Sequence, residues 1–126
     1  MKRSPALQPL SREHHTALLL SNTCVHAAQS GDAELVKQAC QYAINLYTDE
    51  LDAHFKIEEK SLLPLLTSPE TQILVQRTLI EHQMLRGLLE SLQQNDVDAL
   101  NHFGKYLAAH VRFEERSLFP VLENFL

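Results

Sequence analysis

Two histidine and glutamate pairs, His54 with Glu58 and His110 with Glu114, are the residues best placed to do chemistry. Residues four apart share one face of a helix, so each pair can aim an imidazole nitrogen and a carboxylate at one point. A carboxylate on an apolar face needs a cation or several hydrogen bonds, and neighbours such as Leu51, Ile57 and Leu62 supply neither. A metal ion supplies the charge. A single His-x-x-x-Glu spacing arises by chance in many amphipathic helices, where the histidine is an ordinary core or boundary residue. Here it lies inside a longer repeat. HFKIEEKSLLPLL, starting at His54, returns as HVRFEERSLFPVL, starting at His110, with the histidine, both glutamates, the serine and the proline in the same places.

The preceding helices echo one another too, since Glu13-His14 corresponds to Glu81-His82. Two facing helices with His-x-x-x-Glu provide two imidazoles and two carboxylates, and His14 and His82 bring the set to four nitrogens. Bridging glutamates hold two ions close together, with a histidine pair ending each. A nitrogen-rich carboxylate site with vacant positions suits iron better than calcium or magnesium. The expected ligands are therefore His14, His54, Glu58, His82, His110 and Glu114, holding two carboxylate-bridged iron ions. His15 competes for the first place. The face of Leu10, His14, Ala17, Leu18 and Val25 is more apolar than that of Ser11, His15, Leu19, Asn22 and His26, which favours His14. Glu59 and Glu115 lie about 100° round the helix from their neighbours, so a supporting or solvent-facing place is expected for them rather than a bridging one.

Helices must position these residues, and the composition favours helix: three glycines, five prolines, and abundant Ala, Leu, Glu and Gln. Ser11 is expected to cap a first helix reaching about Gln29, with Ser30, Gly31 and Asp32 as the connection. A second helix is predicted over 33–62, its end disturbed by Pro64. Ser68 and Pro69 open a third that lasts to about Gln94, and Asn95 or Asp96 caps a fourth from Val97 to about Ser117. Pro120 starts a short final helical turn. Short connections favour antiparallel neighbours, which makes the expected fold an all-α, up-down-up-down four-helix bundle formed as one domain over 1–126. His54 stands as far before Thr67 as His82 stands after Pro69 and His110 after Val97, so all three reach one level of the bundle. His14 is set further from His54 than the later histidines are from each other, and requires a longer connection or an overhanging helix.

Composition excludes several roles. With 11 Lys+Arg against 16 Asp+Glu the net charge is -5, which speaks against nucleic acid and anionic membrane surfaces as partners. No apolar run approaches the roughly 20 residues of a membrane span. Cys24 and Cys40 read as free thiols, and the cytoplasm is the expected compartment. Ferritin-like diiron proteins use Glu-x-x-His pairs, and zinc hydrolases use His-Glu-x-x-His; neither spacing occurs here.

LSREHH in the first helix, HFKIEEKSLLPLL in the second, IEHQML in the third and HVRFEERSLFP in the fourth resemble the hemerythrin-like, or HHE cation-binding, family over nearly the whole chain. The resemblance implies a four-helix bundle with a non-haem diiron centre and carries ligands onto the same six positions. Two departures from oxygen-carrying hemerythrins matter. Arg86 stands where they have a further histidine, and Glu114 takes the fourth place after its histidine where they have an aspartate at the fifth. Arginine keeps its proton and does not ligate a metal. One iron thus lacks a protein ligand, which makes simple O2 transport a poorer fit. Arg86 either pairs with Glu58 or Glu114, meets a bound anion, or snorkels to solvent.

The expected function is a diiron protein that binds, senses or reacts with O2, peroxide or nitric oxide. A metal-responsive or iron-handling module whose folding depends on the ion is the first alternative, and a structural helical adaptor without metal the second. The aromatic residues Phe55, Phe103, Phe113, Phe119 and Phe125 most simply fill the core, although 119–126 would also suit a homodimer contact.

Overall fold

Pro9 sets the start of the first helix in the computed structural model, which describes residues 3–126. Helix α1, Gln8–Gln29, carries Pro9 in its first turn, where a fixed φ and a missing N–H cost nothing. Ser11 therefore does not cap the helix. It lies inside the first turn, and its hydroxyl donates to Glu115 Oε2 at 2.8 Å. Gly31 takes φ +71°, the left-handed region that glycine enters freely, and Asp32 then caps α2, Ala33–Leu46, accepting from the backbone N–H of Glu34 at 2.9 Å.

The second arm continues from α2 through a π turn, Tyr47–Leu51, then α3, Asp52–Ile57, and a second π turn, Glu58–Leu62. It ends at the predicted place, where Pro64 falls in a 3-10 turn, Leu63–Leu65. The stretch from Ala33 to His54 is longer than the stretch of α1 from His14 to Gln29. A π turn advances less per residue than an α turn and takes up part of that difference; the rest is overhang. The third arm consists of a 3-10 turn, Pro69–Thr71, then α4, Gln72–Gly87, and α5, Leu89–Gln93. The sequence suggests one unbroken helix, but the poor helix former Gly87 precedes a break at Leu88. The Ser68 hydroxyl meets the Thr71 side chain rather than capping the backbone. Asp96, not Asn95, caps α6, Val97–Phe113, by accepting from the Ala99 N–H at 3.0 Å. A third π turn, Glu114–Leu118, leads into α7, Phe119–Leu122, and a final 3-10 turn.

The four arms form the expected antiparallel bundle, and no strand occurs among the described residues. The most extensive packing is between α1 and α6, and Gly104 makes it possible. A Cβ there would lie 2.9 Å from the carbonyl oxygen of Ser21 and 2.9 Å from Val25 Cγ2.

Two apolar clusters fill the interior. One gathers residues such as Leu20, Cys24, Cys40, Phe55, Leu100 and Phe103, and the other Leu7, Leu10, Leu62, Phe113, Leu118 and Phe119. Along α1, His14 lies between Leu10 of one cluster and Ala17 of the other; along the fourth arm, His110 and Glu114 lie between Leu107 and Leu118. The polar residues thus occupy a layer between two hydrophobic ones. Two expected core residues do not belong to either. Ile57 is 47% exposed, because Phe55 fills the inward position beside His54, and Phe125 is exposed in the last turn. Cys24 and Cys40 are free and buried, and burial pushes the Cys24 thiol up to about 12. No helix is long and apolar enough to cross a membrane among the described residues.

Candidate metal centre

The bundle brings all six sequence-derived residues into its interior layer. His14, His54, Glu58 and Glu114 form one group and Glu58, His82, His110 and Glu114 a second, each with ligand-type atoms within 4.8 Å of one another. Glu58 and Glu114 belong to both and are fully buried. His15 is exposed while His14 is buried, as the two helix faces predict.

Each histidine turns Nε2 toward the centre. His14 Nε2 lies 2.8 Å from Glu114 Oε1 and His54 Nε2 lies 3.0 Å from Glu58 Oε2. On the other side His82 Nε2 is 3.0 Å from Glu58 Oε1 and His110 Nε2 is 3.2 Å from Glu114 Oε2. These last four atoms are buried without a hydrogen bond of acceptable geometry. Unpaired buried polar atoms are costly, and two imidazoles and two carboxylates converging on one space match the donor set of a metal ion.

Every Nδ1 is held from outside by a carboxylate. Glu13 accepts from His54 at 2.9 Å, Glu59 from His82 at 2.6 Å, Glu81 from His110 at 2.7 Å and Glu115 from His14 at 2.6 Å. A proton fixed on Nδ1 leaves Nε2 with its lone pair directed inward, which is the state a metal ligand requires. The rule behind the four contacts is simple. The glutamate preceding a site histidine on the first or third arm supports the histidine of the following arm, and the glutamate after each bridging-type carboxylate supports the histidine of an arm beside it. Both π turns beginning at Glu58 and Glu114 rotate the following residue relative to an α-helical course, toward these neighbours.

Glu59 and Glu115 thus take the supporting place expected of them. The corresponding work of Glu13 and Glu81 escapes a reading of the sequence, although the repeated Glu-His dipeptide is its signal. Arg86 makes neither of the expected contacts with Glu58 or Glu114. It donates to Glu59 at 2.8 and 3.2 Å and to the Tyr47 hydroxyl at 3.1 Å, because the side chain emerges one turn beyond His82 and meets the outer carboxylate first. Tyr106 stacks on His102 near the surface, with ring centroids 5.5 Å apart.

Charge within the layer is balanced internally. Burial alone would lower the histidines, but hydrogen bonds and attraction from Glu114 and Glu58 push His54 up to about 11. Against burial, His110 is likewise pushed up to about 10 by Glu114, Glu81 and Glu58. Burial and the charge of Glu114 push Glu58 up, whereas burial at Glu114 is overcome by His110 and its neighbours, which hold that carboxyl well below the usual range. Without a cation, then, the layer keeps protons on its imidazoles where an ion would replace them.

The family model for the hemerythrin HHE cation binding domain matches residues 6–122. This chain is a member of the hemerythrin HHE family. No curated protein and no solved structure matches it. For an HHE domain, the six converging residues form a site that could hold a cation, and the surrounding carboxylates and aromatic rings are the parts that fix its shape. Phe55 stacks on His82 with centroids 3.9 Å apart and Phe119 on His14 at 5.2 Å, closing the layer to water on two sides.

Proposed function

We propose that the domain holds two iron ions, one between His14 and His54 and one between His82 and His110, with Glu58 and Glu114 shared by both. The pair binds, senses or reacts with a small molecule such as O2, peroxide or nitric oxide. The observation that carries this reading is the sharing of two fully buried carboxylates by two groups of otherwise separate histidines. A single ion would leave one histidine pair without a purpose. Iron so held would supply redox and Lewis-acid chemistry toward an exogenous ligand. The chain's own part is to orient the imidazoles through Glu13, Glu59, Glu81 and Glu115 and to exclude water with Phe55 and Phe119.

The test is metal analysis with an absorption spectrum on protein purified without added metal, followed by stopped-flow exposure of the reduced protein to O2, peroxide and nitric oxide. Two irons per chain and a change in the iron bands support the proposal. One tightly held zinc and no iron overturns the metal assignment, and unchanged bands with all three molecules overturn the small-molecule role.

Burial of Glu58 and Glu114 also favours a metal-responsive reading, because without an ion these two close carboxylates depend on protonated imidazoles alone for their balance of charge. A melting profile unaffected by iron removal would count against it.

A further inference from the structure

We infer that the two metal positions are inequivalent: the one between His82 and His110 retains its ion, and the one between His14 and His54 exchanges it past Glu13. The inference rests on the two-ion reading above and concerns how each position is enclosed.

Three of the four outer carboxylates are gripped by arginine. Arg86 holds Glu59 through two contacts of 2.8 and 3.2 Å, Arg77 holds Glu81 at 2.8 Å, and Arg3 holds Glu115 at 3.1 Å. Each guanidinium also lies over a phenyl ring of the interior: Arg86 over Phe55 at 5.5 Å, Arg77 over Phe113 at 4.1 Å, Arg3 over Phe119 at 5.6 Å. A cation passing any of these places meets fixed positive charge backed by an apolar ring. Glu13 is different. Among the described residues it forms no ion pair with lysine or arginine, although it is about as exposed as Glu115 and shares a surface depression with Pro9, Arg12, Thr16 and Glu50. This carboxylate is the one that holds His54, so on this side the layer is covered by a carboxylate that no guanidinium grips.

The interior differs in the same sense. His14 and His54 have hydrogen-bond partners for their Nε2 atoms within the layer itself, Glu114 and Glu58. Losing an ion there leaves the groups partnered. At the other position, His82 Nε2 and Glu58 Oε1 lie 3.0 Å apart and His110 Nε2 and Glu114 Oε2 3.2 Å apart, but without hydrogen-bond geometry, so ion loss leaves these four buried atoms in poorer contact. His82 is further held by its stacking on Phe55. Retention and arginine cover therefore coincide on the His82/His110 side, and an alternative bonded state coincides with the uncovered carboxylate on the His14/His54 side.

The repeat supplies the experiment. Arg77 lies one helical turn before Glu81, and the equivalent place before Glu13 is Pro9, an exposed residue in the first turn of α1. The full chain is loaded with iron and challenged with excess chelator, and metal per chain is followed with time alongside the absorption spectrum. Biphasic loss is expected, with a plateau near one ion per chain. Pro9→Arg, which provides the missing guanidinium, slows the fast phase several-fold without changing the loaded stoichiometry. Arg77→Ala turns the plateau into continued loss. A single phase that removes both ions together overturns the inference, as does a fast phase unchanged by Pro9→Arg. A chain that never loads more than one ion overturns the two-ion reading itself, an outcome visible before chelator is added.

Discussion

Glu81 reaches from α4 to α6 and accepts from Nδ1 of His110 at 2.7 Å. The contact joins two arms through a residue that is not itself one of the six central groups, and it fixes which nitrogen of His110 faces the interior. Replacing Glu81 with Gln keeps the shape but weakens the acceptor and frees the imidazole to take the other tautomer. Metal affinity should fall about 10- to 100-fold, measured by competition with a chromophoric chelator, while the helical content stays unchanged.

Gly104 tests the packing that brings α1 beside α6. An added methyl would lie 2.9 Å from the Ser21 carbonyl oxygen, a backbone atom that cannot rotate away. Gly104→Ala should gain helix propensity yet lose stability overall by about 1–3 kcal/mol, because separating the two helices outweighs the propensity term. Denaturant unfolding of the metal-free protein gives the answer, and a more stable variant would show that the close approach is not needed.

Capping makes a smaller, separable contribution. Asp96 accepts from the Ala99 N–H at 3.0 Å. Asp96→Ala should lower stability by about 1 kcal/mol with no change in metal content. Loss of metal in this variant would mean that the start of α6 is linked to the layer at His110, several turns further along the helix.

The metal-free protein should also show a pH dependence of definite sign. Despite burial, His54 and His110 are raised from 6.5 to about 11 and about 10, because the charged imidazoles are bound by buried carboxylates. A raised folded-state value contributes stability that is fully present below pH 6.5 and is lost as pH rises through the folded values. Unfolding free energy of the stripped protein should therefore decline from neutral toward pH 10. Loaded protein should decline less, since the ion holds the same imidazoles neutral, and equal slopes for the two forms would contradict this account.

The sequence by itself determined the six interior residues and the bundle that unites them. His14, His54, Glu58, His82, His110 and Glu114 were legible because the helix period is fixed and the doubled segment made chance spacing an inadequate explanation. Periodicity fails where the helix departs from its regular course or where the deciding contact comes from another arm. Ser11 looks like a cap from its neighbours in the chain, yet Pro9 starts the helix earlier and Glu115 takes its hydroxyl. Ile57 keeps the spacing of an inward face, yet the ring of Phe55 takes that place beside His82. Arg86 is close enough in sequence to His82 to suggest a role at the centre, but only the packed bundle places Glu59 in its way. The lack of an arginine at Glu13 belongs to the same class. It depends on which carboxylates meet an arginine, and for Glu59 and Glu115 that arginine comes from another arm or from the residues before α1, where a local pattern has no reach.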